Sequence, residues 1–211
     1  MAASGNLIIV SGPSGAGKSA LAASVLRMVL GLRFSISYTT RSPRGSERDG
    51  VEYYFVPESR FRELIERGEF LEWAEVYGNY YGTPQRCIDE ALARKEDVLL
   101  DVDVQGARTI RTKRPSAIAV FILPPSFAVL RERLERRRLD KDYVMKQRLE
   151  IARREIVQYR DYDFLIVNED LGRAAEELKS IILAYRCSMA ARAESAQDIV
   201  ATFGGMDAQD P

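Results

Sequence analysis

Two rhythms of apolar residues alternate along the chain. Consecutive runs, Leu7-Ile8-Ile9-Val10, Val98-Leu99-Leu100 and Ile118 to Leu123, predict strands covered on both faces. Between them apolar positions recur at helical spacing. From Pro57 to Gly68, for example, Phe61, Leu64 and Ile65 share a face, Pro57 and Ser59 sit near the start, and Gly68 ends the segment. Strands are predicted from Asn6 to Val10, Arg33 to Ser37, Glu52 to Val56, Asp97 to Asp101, Ser116 to Leu123 and Asp163 to Val167. Helices are predicted from Ala20 to Leu30, Pro57 to Gly68, Pro84 to Arg94, Gln105 to Lys113, Ser126 to about Arg137, Asp142 to Tyr159 and Leu171 to about Ala193. Ser126 is the candidate N-cap of its helix.

Other stretches break the alternation. Tyr38 to Gly50 is polar, with Pro43, Gly45 and Gly50, and is read as loop. Phe70 to Tyr77 alternates loosely, and Gly78 to Thr83 is read as a turn. Residues from about 37 to 83 thus form a small mixed insertion. The last residues, 202–211, carry two glycines and no periodicity, and are expected to be a disordered tail. Strands alternating with helices give an α/β fold: a central parallel sheet flanked by helices, with ligands at the carboxyl ends of its strands. No internal repeat is visible.

Composition narrows the chemistry. The chain has 211 residues, enough for one α/β domain with a small insertion. Lys plus Arg and Asp plus Glu both number 31, so the formal net charge is zero, which argues against general affinity for nucleic acid or an anionic membrane. There is no histidine, which excludes a Ser-His triad, a histidine base and histidine-ligated metal. Phosphoryl transfer survives that exclusion, because it rests on positioning and electrostatics. Cys87 and Cys187 stand far apart in no paired motif, so a cytoplasmic location is expected. The first apolar run is too short for a membrane span and lacks a basic flank.

The run Gly12-Pro13-Ser14-Gly15-Ala16-Gly17-Lys18-Ser19 lies between a predicted strand and a predicted helix. That pattern in that setting is a phosphate-binding loop for ATP or GTP. Its backbone N–H groups turn inward toward phosphate and the helix adds its positive end. Lys18 supplies a mobile charge for the β- and γ-phosphates. Ser19 offers a hydroxyl to Mg²⁺, which takes few protein ligands. Asp101 ends its strand, where an acid can orient Mg²⁺-bound water. The insertion adds anion chemistry of its own: Arg41 and Arg44 lie three apart in the loop, and Tyr53 and Tyr81 add phenol donors.

Six motifs in order carry a resemblance. Residues 11–19, Ser37-Tyr38-Thr39-Thr40-Arg41-Ser42-Pro43-Arg44, Phe70-Leu71-Glu72-Trp73-Ala74, Gly78-Asn79-Tyr80-Tyr81-Gly82-Thr83, Asp101-Val102-Asp103-Val104-Gln105-Gly106 and Ile166-Val167-Asn168 resemble guanylate kinase. The likeness covers roughly residues 5–185 and implies a P-loop kinase fold that transfers the γ-phosphate of ATP to GMP with Mg²⁺. It implies a core of residues 1–36 and 84–201, a GMP-binding insertion of residues 37–83, and an Arg-rich lid at about 136–148. It assigns guanine reading to Ser37, Glu72, Thr83 and Asp103, and the GMP phosphate to Arg41, Arg44, Tyr53 and Tyr81. A carboxylate at Glu72 can accept from both donors of guanine's N1–N2 edge, whereas adenine offers a lone pair there, so GMP is expected over AMP.

In the lid the resemblance places Arg137 and Arg148 at the phosphates between donor and acceptor, where charge accumulates in the transition state. The family usually has Gly on either side of that arginine and Thr after it. Here Arg136, Arg138 and Leu139 occupy those places, which leaves open which of the three arginines reaches ATP. Ala20 stands where the family usually has Thr, which would weaken contacts to the α-phosphate. Asn168 is either beside the adenine or an asparagine ending a strand. The exposed apolar residues near Ile199 and Phe203 suit a homodimer as well as a frayed tail. Two other readings compete: a kinase-like module that binds peptides without chemistry, and a P-loop kinase for a phosphorylated sugar. The intact Gly17, Lys18 and Ser19 speak against the first, and Glu72, Arg44 and Thr83 together against the second.

Overall fold

In the computed structural model, which describes residues 5–76, 78–136 and 142–203, all five residues of β1 (Leu7–Ser11) are buried. β1 is the centre of a parallel sheet, with β7 (Asp97–Asp101) hydrogen-bonded on one side and β8 (Ile118–Leu123) on the other. β2 (Leu32–Phe34) extends the sheet beyond β7, and β9 (Phe164–Val167) extends it beyond β8.

Successive β1 side chains go to opposite faces, and both faces are covered. Ile8 and Val10 meet Leu21 and Val25 of α1 (Lys18–Met28) and Leu178 and Ile182 of α7 (Leu171–Arg186). Leu7 and Ile9 meet Ile88 of α3 (Gln85–Ala93) and Ile110 of α4 (Val104–Lys113). Each fully buried branched side chain contributes about 1.5–3 kcal/mol, so this double burial is what holds β1 rigid behind the loop that follows it. Sandwiching by helices also explains why the strand runs are apolar throughout instead of alternating.

The insertion builds a second sheet, ordered β4 (Tyr54–Phe55), β3 (Tyr38–Thr39), β6 (Asn79–Pro84), β5 (Phe70–Val76). Phe61 and Leu64 of α2 (Glu58–Glu66) pack on Phe70 and form its own small core. β5 joins the two cores. A register shift between Phe70 and Glu72 lets Phe70, Leu71 and Glu72 all be buried, Phe70 in the small core and Leu71 in the large one.

The structure departs from the periodicity in several places. Tyr38–Thr39 is a strand rather than loop, and Asn79–Pro84 is a strand rather than a turn. Asn79 to Pro84 has little apolar pattern of its own. It is extended because β5 and β3 supply backbone partners on both sides. α6 (Asp142–Glu155) ends earlier than predicted and passes into a 3-10 helix, Ile156–Asp161. The single predicted last helix is two: α7 stops at Arg186, and Ser188 caps α8 (Met189–Thr202) by accepting from the Ala191 N–H at 3.2 Å. The proposed cap of α5 (Phe127–Arg136) is present, Ser126 Oγ accepting from the Val129 N–H at 3.2 Å. Ile199 and Phe203 are exposed along or beside α8, and the expected tail lies, from residue 204 onward, outside the described residues. No helix among the described residues is long and apolar enough to cross a membrane.

One buried acid ties three segments together. Asp97 is 3% exposed; its Oδ1 accepts from the Asn6 backbone N–H and Nδ2, both at 2.8 Å, and its Oδ2 accepts from Arg186 Nε at 2.7 Å. Replacing Asp97 with Ala leaves a guanidinium and two N–H donors without their acceptor at the start of β7. We expect a loss of roughly 2–4 kcal/mol in urea unfolding. A loss below about 0.5 kcal/mol would show that the network is ornamental.

Candidate active site

The loop after β1 turns sharply into the N-terminus of α1, and two glycines make the turn possible. Gly12 has φ 139°, and a Cβ there would lie 2.4 Å from the Ile122 carbonyl oxygen. Gly17 has φ 94°, and a Cβ there would lie 2.3 Å from Asn168 Nδ2. Larger residues are therefore excluded both by torsion and by space. The first turn of α1 carries no acidic residue to oppose an anion. Lys18 folds back over its own loop, Nζ donating to the Gly12 carbonyl at 2.7 Å and the Pro13 carbonyl at 3.3 Å.

The loop is braced from behind. Asn168, at the end of β9 and 4% exposed, donates from Nδ2 to the Ala16 carbonyl at 2.8 Å. Arg133 of α5 donates to the Asn168 carbonyl at 2.9 Å and reaches the Ala16 carbonyl at 3.5 Å. Arg133 was only one member of a charge run in the sequence; nothing there marked it as the one that turns inward. On the cleft side, Ser19 Oγ donates to Asp101 Oδ2 at 2.7 Å. Sheet register makes this contact: Val10 pairs with Asp101, so the acid arrives beside the residues that open the loop.

The insertion contributes the opposite wall. Glu72 of β5 pairs directly with Thr83 of β6, and the Thr83 hydroxyl donates to Glu72 Oε1. Both are buried. Burial pushes the Glu72 carboxyl up to about 7; the Thr83 hydrogen bond works against the shift, while nearby Asp103 reinforces it. Asp103 caps α4, its Oδ1 accepting from the Gly106 N–H at 2.7 Å. Gly106 lies against the acid, because a Cβ at that position would come within 2.8 Å of Glu72 Oε2. Tyr53 and Tyr81 meet edge to face with centroids 5.9 Å apart, and burial raises the Tyr53 hydroxyl well above the usual range. The Arg41 guanidinium is buried 5.3 Å from the Tyr53 centroid, and Glu47 engages it from the same loop with hydrogen bonds of 2.8 and 3.0 Å.

The two walls face one cleft of about 770 Å³. Gly12, Ser14, Gly15, Gly17, Lys18, Ser19 and Asp101 line one side. Ser37, Arg41, Arg44, Tyr53, Glu72, Tyr81 and Asp103 line the other, and Arg148 of α6 reaches in as well. Thr83 stands behind Glu72, Asn168 behind the loop, and Pro13 and Ala16 are buried within it, whereas Ala20 is exposed on α1. Arg137 lies outside the described residues, and Arg136 pairs with Glu132 of its own helix at 2.7 Å.

Glu155, the last residue of α6, is a cleft residue that the sequence reading missed. The Ser14 backbone N–H hydrogen-bonds its carboxylate; burial raises it to about 7, and Lys18 and that N–H pull it back. Its only sequence signal was an acid at the end of a basic helix, which is unremarkable by itself.

The sequence model of the guanylate kinase family matches residues 4–185. The chain belongs to the guanylate kinase family. It is 49% identical to the guanylate kinase of Myxococcus xanthus over 87% of this chain and 88% of that one. It is 47% identical to the guanylate kinase of Carboxydothermus hydrogenoformans over 86% and 89%. The crystal structure of guanylate kinase from Anaplasma phagocytophilum superposes with a TM-score of 0.77 at 32% identity, covering 89% of each chain. For a guanylate kinase the two-walled cleft is the expected shape, since it has two nucleotides to bring together.

The raised Glu72 carboxyl has a consequence for stability. Its folded value of about 7 lies above the ordinary 4.5, so the folded chain holds this proton more tightly than the unfolded chain does. The resulting stabilisation is complete below about pH 4.5 and lost as pH rises through about 7. Without nucleotide, wild type should therefore lose roughly 3 kcal/mol relative to Glu72→Gln between those pH values. Urea unfolding of both proteins across that range checks it, and a pH-independent difference would refute it.

Proposed function

We propose that the phosphate-loop wall holds ATP and the insertion wall holds GMP, so that the γ-phosphate passes between them inside the one cleft. The chain is a nucleoside monophosphate kinase, an ATP:GMP phosphotransferase that yields ADP and GDP. The observation that carries the assignment of the two walls is Glu72: a buried carboxyl, backed by Thr83, opening onto the same cleft as Lys18. In this reading the loop from Gly12 to Ser19 takes the triphosphate. Lys18 leaves the Gly12 carbonyl to meet it. Ala20 follows at the start of α1, and Asn168, braced to Ala16, serves ATP by fixing the loop.

Arg41 and Arg44, with Tyr53 and Tyr81, grip the GMP phosphate in our reading. Glu72 accepts from guanine N1–H and N2–H, with Ser37, Thr83 and Asp103 completing the base site. Arg148, and Arg137 outside the described residues, supply positive charge where it develops between donor and acceptor. The core is residues 1–36 and 84–201, the GMP-binding unit residues 37–83, and the lid about 136–148.

The Ser19 hydroxyl and Asp101 carboxylate form a hard oxygen pair at 2.7 Å. Among the described residues no group of three or more His, Cys, Asp or Glu side chains could hold a metal by itself. A cation that keeps most of its water and takes few protein oxygens suits such a pair, so Mg²⁺ with ATP is part of the proposal. Bound there, Mg²⁺ neutralises charge on the phosphates. The residues themselves orient the phosphates, exclude water and hold the acceptor in line.

Glu72→Gln is the direct test. Loss of an acceptor-only partner for two donors should lower kcat/KM for GMP by about 100-fold and leave the KM for ATP within about twofold. The GMP-over-AMP preference should collapse with it. An equal loss for both nucleotides would remove Glu72 from the base site. Gly106→Ala should raise the KM for GMP about tenfold through displacement of Glu72, despite alanine's better helix propensity. An unchanged KM there would mean the carboxylate tolerates the shift or does not touch the base.

A further inference from the structure

The guanidinium of Arg41 is held by a residue to which nothing so far gives a role. Arg41 is 8% exposed. Its Nη1 donates to the Ser42 carbonyl at 2.8 Å and to Glu47 Oε2 at 2.8 Å, and its Nη2 donates to Glu47 Oε1 at 3.0 Å. Glu47 therefore takes the terminal edge of the guanidinium, and Ser42 takes the remaining Nη1 hydrogen. What is left is the side edge, Nε–H with the second Nη2–H. That edge has the spacing of two oxygens on one phosphate. Nε is buried and donates to no described protein acceptor. The Tyr81 hydroxyl hydrogen-bonds the guanidinium, and Arg41 lines the cleft. An arginine buried to this extent with its Nε–H uncommitted is a built anion site.

Glu47 does a second thing with the same carboxylate. Oε2 also accepts from the backbone N–H of Arg44 at 2.8 Å. One acid thus fixes the guanidinium of the first arginine and the backbone of the second. With two cations and one anion the triad keeps a net positive charge, enough to attract a phosphate monoester but less than two bare arginines would carry.

We propose that Glu47 is the positioning residue of the GMP-phosphate site, holding Arg41 by its terminal edge so that the Nε–Nη2 edge meets the phosphate, and setting Arg44 in the same contact. This rests on the reading of Arg41 and Arg44 as the phosphate grip. Because the carboxylate and the phosphate use different edges, Glu47 acts with the substrate and does not compete with it.

Steady-state kinetics with GMP and ATP varied separately, and inhibition by guanosine, which has the base without the phosphate, test the proposal. Glu47→Gln should raise the KM for GMP about tenfold, while the KM for ATP and guanosine inhibition stay within about twofold. Arg41→Ala should raise the KM for GMP by more, and adding Glu47→Gln to it should change little, because the acid acts through that arginine. Arg41→Lys should behave nearly as Arg41→Ala, since an ammonium has no edge to present. A lowered KM for GMP in Glu47→Gln would mean that the acid competes with phosphate, and an unchanged KM that it does nothing there. Equal weakening of guanosine would make it a structural prop of the loop. Each of these overturns the proposal. If Arg41→Ala itself leaves the KM for GMP unchanged, the phosphate grip falls first and the positioning role with it.

Discussion

Parallel pairing of β1 on both of its edges is the constraint on which the catalytic architecture hangs. Because the strands run the same way, their carboxyl ends and the segments that follow all emerge on one side of the sheet. Register then decides which residues are neighbours. Val10 lies beside Asp101, so the phosphate loop and the acid meet at the Ser19 hydroxyl without any long-range steering of side chains. A one-residue slip would send every β1 side chain into the opposite core and would move Asp101 away from Val10. The hydrophobic core and the site are thus fixed by the same pairing.

The second constraint is that the polar groups along the cleft already have partners within the protein. Lys18 rests on its own loop's carbonyls, Ser19 on Asp101, Glu72 on Thr83, and Arg41 on Glu47. An unpaired buried group costs about 1–3 kcal/mol, and a charge costs more. These contacts therefore hold functional groups near working geometry. Where a partner is a neutral carbonyl or hydroxyl, substrate can displace it or share with it at modest cost. Where the partner is itself charged, as in Arg41 with Glu47, the proposed phosphate contact uses a different edge.

The resting pairs also link the walls of the cleft. Glu155 ends α6 and meets the Ser14 N–H, so α6 touches the phosphate loop directly. Gly106 on α4 packs against Glu72, so the helix after Asp101 sets the position of the acid across the cleft.

Much of this was legible in the amino-acid order alone. The apolar runs of β1, β7 and β8, the phosphate loop, and the arginines and tyrosines of the insertion are local patterns, set by what neighbouring residues can do together, whereas Glu72 stood out only through the family resemblance. Other features were not local. Asn79–Pro84 is a strand because partners on both sides satisfy its backbone, and a run such as Asn-Tyr-Tyr-Gly-Thr carries no sign of those partners. Ser188 ends one helix and caps the next, where helical spacing alone ran straight through. Nothing in the amino-acid order singled out Glu47, Arg133 or Glu155, since one-dimensional charge patterns do not say which charged residue turns inward. The chain's own order determined what chemistry is available and the strands and helices that carry it. Only tertiary packing decided which acid holds which arginine, because those contacts depend on register and burial between segments distant in the sequence or folded back within one loop.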